Sequence, residues 1–230
     1  LNDADSIPGA KRARLVVVIS GRGRNLAALI AAIREGRIAA DLVAVISNRA
    51  DAPGLAIAAA AGVPTTVIPH VDYPDRAAFD AALASCLRAC RPDIVALAGF
   101  MRILTEGFVR EFEGRMLNVH PSLLPRHKGL NTHAAVLRVG DAEHGATVHF
   151  VSPQLDGGPA VIQGRFIVPA HDDVQQLAER VMDTVERKIY PQAVAWMARG
   201  ELQLEQGVAV FRGRPLREPL TLDDLEEGFR

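Results

Sequence analysis

Short, unbroken apolar runs that alternate with helix-period segments constrain this chain more than any other feature. Leu15-Val16-Val17-Val18-Ile19 is the first. A strand without polar alternation belongs in a parallel sheet covered on both faces. Ser20-Gly21-Arg22-Gly23-Arg24-Asn25 follows, and then Leu26, Leu29, Ile30 and Ile33 recur at helical spacing. Residues 42–46 and 94–98 repeat the apolar run, with a shorter strand at 65–68 between them. A helix beginning at Asp51-Ala52-Pro53 runs to Gly62, and another over 75–90 turns Phe79, Leu83 and Leu87 inward. A short helix starts near Thr105. The fold class expected is α/β: a mostly parallel, twisted, Rossmann-like sheet with helices on both faces.

The next apolar run changes character partway. Leu117-Asn118-Val119-His120 begins as a strand, and Pro121 stops it because proline cannot donate to a ladder. Residues i and i+2 share a face, so Asn118 and His120 point together. Ligands bind at this end of strands in open α/β sheets. After the loop Ser122-Leu123-Leu124-Pro125, Thr132 caps a helix that ends at Gly140. Strands at 146–151 and 160–168 are then too close for a crossover helix, so they are antiparallel. In the loop between them, Asp156 before Gly157-Gly158 makes a turn or places a carboxylate near the His120 strand end. A long helix covers 172–198, with Leu177, Val181 and Ile189 inward, and Pro191 kinks or splits it. Residues 206–230 read as a hairpin with Val208–Phe211 as one arm, then a charged tail. The domain itself spans 14–205, after a loose polar tail over 1–13 without a secretory pattern.

Composition narrows the partners. Among 230 residues a net charge of −1 gives no nucleic-acid surface, and no apolar run reaches membrane-spanning length. Cys86 and Cys90 share a helix face without redox or zinc spacing, which fits a reduced, cytoplasmic setting.

The loop from Ser20 to Asn25 resembles half of a dinucleotide fingerprint. Leu26 stands where the third glycine belongs, and the second strand ends in Ser47-Asn48-Arg49 without the ribose-binding acid. A monophosphate pocket at the helix start is the reading, with a tight turn that binds nothing as the alternative. Phe100, Met101, Ile103 and Leu104, directly after a strand end, line a pocket or pack into the next helix.

Five separated segments then match one family. Residues 19–26, 47–52, 97–104, 118–125 and 155–159 resemble phosphoribosylglycinamide formyltransferase, a folate-dependent enzyme of purine synthesis, in order and over about 14–205. The resemblance implies formyl transfer from 10-formyltetrahydrofolate to the amine of glycinamide ribonucleotide. It implies Gly23, Arg24 and Asn25 at the nucleotide phosphate and Glu186 at the ribose. It places Phe100, Met101, Arg102, Ile103 and Leu104 along the folate pterin, and Arg76 at the folate's glutamate tail. The catalytic set it implies is Asn118, His120 and Asp156, with no metal, and the protein is a monomer or homodimer. The chemistry agrees, because charge develops on the formyl oxygen as the amine attacks, and a protonated His120 and the Asn118 amide can donate to it. Asp156 favours the imidazolium and assists proton movement.

Two residues depart from the family pattern: Arg24 stands where Ser or Thr is usual, and Val185 where a polar residue is. Formyltetrahydrofolate deformylase and methionyl-tRNA formyltransferase share the core, but each needs a further domain that this sequence does not accommodate, and the second needs a basic surface. A nucleotide binder without catalysis, or a dehydrogenase-like binder, is the rival from another class. The catalytic trio argues against the first and the incomplete glycine fingerprint against the second.

Overall fold

The computed structural model describes residues 12–230, so the tail expected over 1–13 lies, up to residue 11, outside the described residues. β1 (Ala13–Ile19), β2 (Ala40–Ser47), β3 (Thr65–Val67), β4 (Ile94–Leu97), β5 (Met116–His120), β6 (Glu143–Phe150) and β7 (Ala160–Ile167) form one sheet in the order β3-β2-β1-β4-β5-β6-β7. Pairing is parallel from β3 through β5 and antiparallel for β5–β6 and β6–β7. The order reverses between β1 and β4, and the crevice at their carboxyl ends is where such sheets bind ligands.

The unbroken apolar runs exist because both faces are covered. Along β1, Leu15, Val17 and Ile19 enter one core with α1 (Arg24–Arg34) and the last long helix. Val16 and Val18 enter a second core with Phe79, Leu83 and Leu87 of α3 (Arg76–Cys90). These five side chains, Leu15 to Ile19, are fully buried. Each contributes roughly 1.5–3 kcal/mol relative to exposure.

Local chemistry at several helix starts differs from the sequence expectation. Asp51 does not cap α2 (Gly54–Ala60); its carboxylate accepts from Arg49 at 2.7 and 2.9 Å instead. Thr132 is the first residue of α5 (Thr132–Val139), not its cap, and Asn131 occupies the cap in the left-handed region. Asp75 and Thr105 do cap their helices, α3 and α4 (Glu106–Glu111).

The long helix is interrupted, but not at Pro191. α6 (Val174–Val181) passes into a π turn at Met182–Glu186 and then into α7 (Arg187–Ala198), which contains Pro191. Proline has no N–H for the carbonyl four residues back, here that of Arg187, and the π turn ends directly before this residue. Residues 206–230 are more ordered than a hairpin and tail. β8 (Leu202–Glu205), β9 (Val208–Phe211) and β10 (Arg214–Pro215) make a three-stranded antiparallel sheet. The chain then returns to the β7 edge, where Leu220 exchanges backbone hydrogen bonds with Val161 and Gln163 at 2.9 and 2.8 Å. Leu225 and Phe229, apolar positions within the charged stretch, are buried and hold it down.

Candidate active site

Two contiguous cavities open at the carboxyl edge of the sheet. One of about 480 Å³ is floored by the loop from Ser20 to Asn25, with Asn48, Arg49 and His70 opposite. The other, of about 660 Å³, holds Asn118, His120 and Asp156 together with Arg76, Phe100, Ile103 and Glu186. Asn25, Gly99, Met101, Arg102 and Met182 line both, so a ligand in one meets a ligand in the other.

The glycine loop is built for close approach. Gly23 is left-handed (φ 75°), and a Cβ there would lie 2.6 Å from the Cα of Gly54 at the start of α2. α1 begins at the next residue, Arg24, so its first N–H groups have no partner within the helix. Leu26, at the missing third glycine, is fully buried in the core. Asn25 donates to the Glu186 carboxylate at 2.5 Å, which joins the loop to the π turn. Burial pushes the Glu186 carboxyl up, while the Asn25 amide and the Arg24 charge oppose that. The π turn aims Met182 and Glu186 at the cleft. Val185 points the other way, buried in the core against Gly164, so this departure from the family pattern lines neither cavity. Arg24 does line the smaller cavity.

At the other end, Arg76, Phe100, Met101, Arg102 and Ile103 line the larger cavity. Met101 and Ile103 are exposed, and with Leu130, Leu155 and Val174 they give the cleft an apolar rim. Arg102 sits with its guanidinium carbon 5.9 Å from the centre of the Phe79 ring. Leu104 is placed differently: it packs in the core with Phe79 and Phe108, behind the cleft, and borders only a small recess shared with Asn118, His149 and Asp156.

Asn118 and His120 share the cleft-facing side of β5, and Asp156 reaches them from the β6–β7 loop. Asp156 is left-handed (φ 44°), and its Oδ2 accepts from the Gly129 N–H at 2.8 Å. Gly158 lets the loop tuck in, because a Cβ there would lie 1.9 Å from the Phe150 carbonyl oxygen. His120 Nδ1 is 3.5 Å from Asp156 Oδ2, and His120 Nε2 is 2.9 Å from the His127 carbonyl. A carbonyl only accepts, so Nε2 carries a proton. The segment that supplies this carbonyl is tied at His127, whose Nε2 lies 2.6 Å from Asp141, and at Arg126, which pairs with the same carboxylate. Those two contacts, His127 first, hold the Asp141 carboxyl below its usual range despite desolvation.

Besides His70 and His127, three histidines near the site escaped sequence reasoning. His149 lies directly across from Asn118 in the β5–β6 register, and its Nε2 is 3.1 Å from the Asn118 amide nitrogen. His133, at the start of α5, is 2.9 Å from His144. Burial, then His133 and His127, push His144 down to about 4, against the pull of Asp141. Pairing of the Asn118 strand with the 146–151 strand was the signal that could have found His149. Nothing comparable marked His133 or His144. Among the described residues, no group of three His, Cys, Asp or Glu side chains is arranged to hold a metal.

This arrangement has known counterparts. The family model described as formyl transferase matches residues 13–194. The phosphoribosylglycinamide formyltransferase of Escherichia coli K12 is 44% identical over 202 residues, which cover 88% of this chain and 95% of that protein. The human trifunctional purine biosynthetic protein adenosine-3 is 47% identical over 84% of this chain, a match spanning 19% of its own length. A solved phosphoribosylglycinamide formyltransferase from Coxiella burnetii superposes with a TM-score of 0.87 at 42% identity, covering 92% of this chain and 99% of that one. The chain belongs to the formyl transferase family. Within that family it is an enzyme of the phosphoribosylglycinamide formyltransferase type.

Proposed function

We propose that this chain transfers the formyl group of 10-formyltetrahydrofolate to the amine of glycinamide ribonucleotide, with Asn118, His120 and Asp156 as the catalytic groups. The observation that carries this reading is the junction of the two cavities. A glycine-floored pocket of about 480 Å³ opens into an apolar-rimmed cleft that holds the trio. The nucleotide phosphate rests on the α1 start at Gly23, Arg24 and Asn25, and Glu186 takes a ribose hydroxyl. The folate lies along Phe100 to Ile103, with its glutamate tail toward Arg76.

The step needs no nucleophilic side chain. The amine nitrogen bonds to the formyl carbon, the carbonyl pair moves onto oxygen, and the tetrahedral centre collapses as the bond to the folate nitrogen breaks. The proton lost by the amine ends on that folate nitrogen, with Asp156 as the relay. Donors aimed at the developing oxyanion supply most of the acceleration. The Asn118 amide is one and His120 is the other. Because His120 Nε2–H rests on the His127 carbonyl, donation from that nitrogen requires an exchange of partner, and the segment over 121–131 must yield it.

The test is release of tetrahydrofolate from 10-formyltetrahydrofolate, followed with and without glycinamide ribonucleotide. Release that depends on the ribonucleotide is expected. Release without it would mean a hydrolase on the same core, and no release in either case would overturn the reading. Arg76 is exposed at the first residue of α3. Exposed ion pairs contribute at most about 1 kcal/mol, so Arg76→Ala should raise the folate KM by no more than about fivefold and leave kcat in place. An unchanged folate KM would remove Arg76 from the site.

A further inference from the structure

His149 has no place in the mechanism above, yet its environment fixes its protonation pattern atom by atom. The residue is 2% exposed and sits on β6 opposite Asn118. Its Nδ1 lies 2.8 Å from the Phe150 carbonyl oxygen. That oxygen can only accept, so Nδ1 carries the ring proton. Burial, the largest influence, holds the imidazole below its ordinary pKa, although the Phe150 carbonyl and Asp156 pull upward. A neutral ring protonated at Nδ1 presents a bare lone pair at Nε2.

That lone pair faces the Asn118 side chain at 3.1 Å. An amide has two ends, and only the NH₂ end can bond to a lone pair. Turned around, Asn118 would set its carbonyl oxygen against Nε2 of the buried His149 ring, acceptor against acceptor, a mismatch that leaves the buried nitrogen without a donor. The amide is therefore held with one N–H on His149, and its second N–H stays available to a substrate oxygen. Asp156 Oδ1 is 3.8 Å from the same Nε2, beyond hydrogen-bond range, and a lone pair has nothing to give a carboxylate. His149 thus engages Asn118 and leaves Asp156 to His120 and the Gly129 N–H.

We propose that His149 is a positioning residue: through its neutral, Nδ1-protonated imidazole it fixes which end of the Asn118 amide is offered to the developing oxyanion. The proposal rests on the formyl-transfer reading, because it assumes that Asn118 donates to the formyl oxygen. It adds a residue and a tautomer that the resemblance did not supply. It also explains why a histidine is spent in a fully covered strand position where an aliphatic side chain would pack at less cost.

The test is a double-mutant cycle that reads kcat and both KM values. His149→Leu removes the acceptor, and His149→Gln restores one, since the Gln Oε1 reaches about as far as Nε2. With Asn118 intact, His149→Leu should lower kcat by roughly 10- to 10²-fold, the cost of a misplaced catalytic group, with both KM values nearly unchanged. His149→Gln should recover most of that loss. In the Asn118→Ala background, His149→Leu should cost nothing further, because the group it positions is gone. An equal loss in both backgrounds, or a Gln variant no better than Leu, would overturn the proposal. If His149→Leu does not fold, His149→Met makes the same comparison against Gln. Wild-type turnover on glycinamide ribonucleotide is the control. Its absence overturns the function reading, whereas turnover indifferent to His149 overturns only this inference.

Discussion

Replacing His120 with alanine should lower turnover by roughly 10²-fold or more, the usual cost of one oxyanion donor, while the protein remains folded. His120 is 5% exposed at the end of β5, with Asp156 on one ring nitrogen and the His127 carbonyl on the other. Truncation removes both contacts, and losing the His127 contact costs about 1–3 kcal/mol if the carbonyl stays dry. The segment over 121–131 should nonetheless keep its course, because Asp141 still holds it through His127 and Arg126. A loss in rate with a small shift in Tm is therefore a loss of chemistry. The measurement is single-turnover formyl transfer beside a thermal melt. Near-normal turnover in a folded His120→Ala protein would remove the imidazole from the reaction and leave Asn118 as the donor of consequence.

The parts of this architecture that sequence reasoning reached are those governed by periodicity. Leu15 to Ile19 reads as a doubly covered strand because each side chain is enclosed by one of two cores, and nothing polar is tolerated there. Asn118 and His120 read as one constellation because strand period alone puts them together. What stayed hidden depends on contacts across the chain. Thr132 and Asp51 carry good capping chemistry, but Asn131 occupies the cap of α5 and Arg49 engages the Asp51 carboxylate, so neither residue caps its helix. The proline at 191 is visible in sequence; the π turn at Met182–Glu186 gives no periodic signature. Leu104 belongs to the same short stretch as Phe100 and Ile103, yet it turns beneath the cleft while they line it. The register between β5 and β6 decides that His149 meets Asn118, and a one-residue slip would have placed it on the opposite face.

The second large effect belongs to Asp156→Asn. Turnover should fall by roughly 10²- to 10⁴-fold, the range for a lost general acid–base group. The substitution is unusually clean because asparagine adopts the left-handed conformation that Asp156 has, φ 44°, at little cost. The amide oxygen can still accept from Gly129 N–H, so the loop should stay where Gly158 lets it tuck under the Phe150 carbonyl. The charge opposite His120 is lost, and so is a base able to carry the proton from the attacking amine. A variant that kept wild-type turnover at neutral pH would contradict both roles and leave Asp156 as a loop anchor for Gly129.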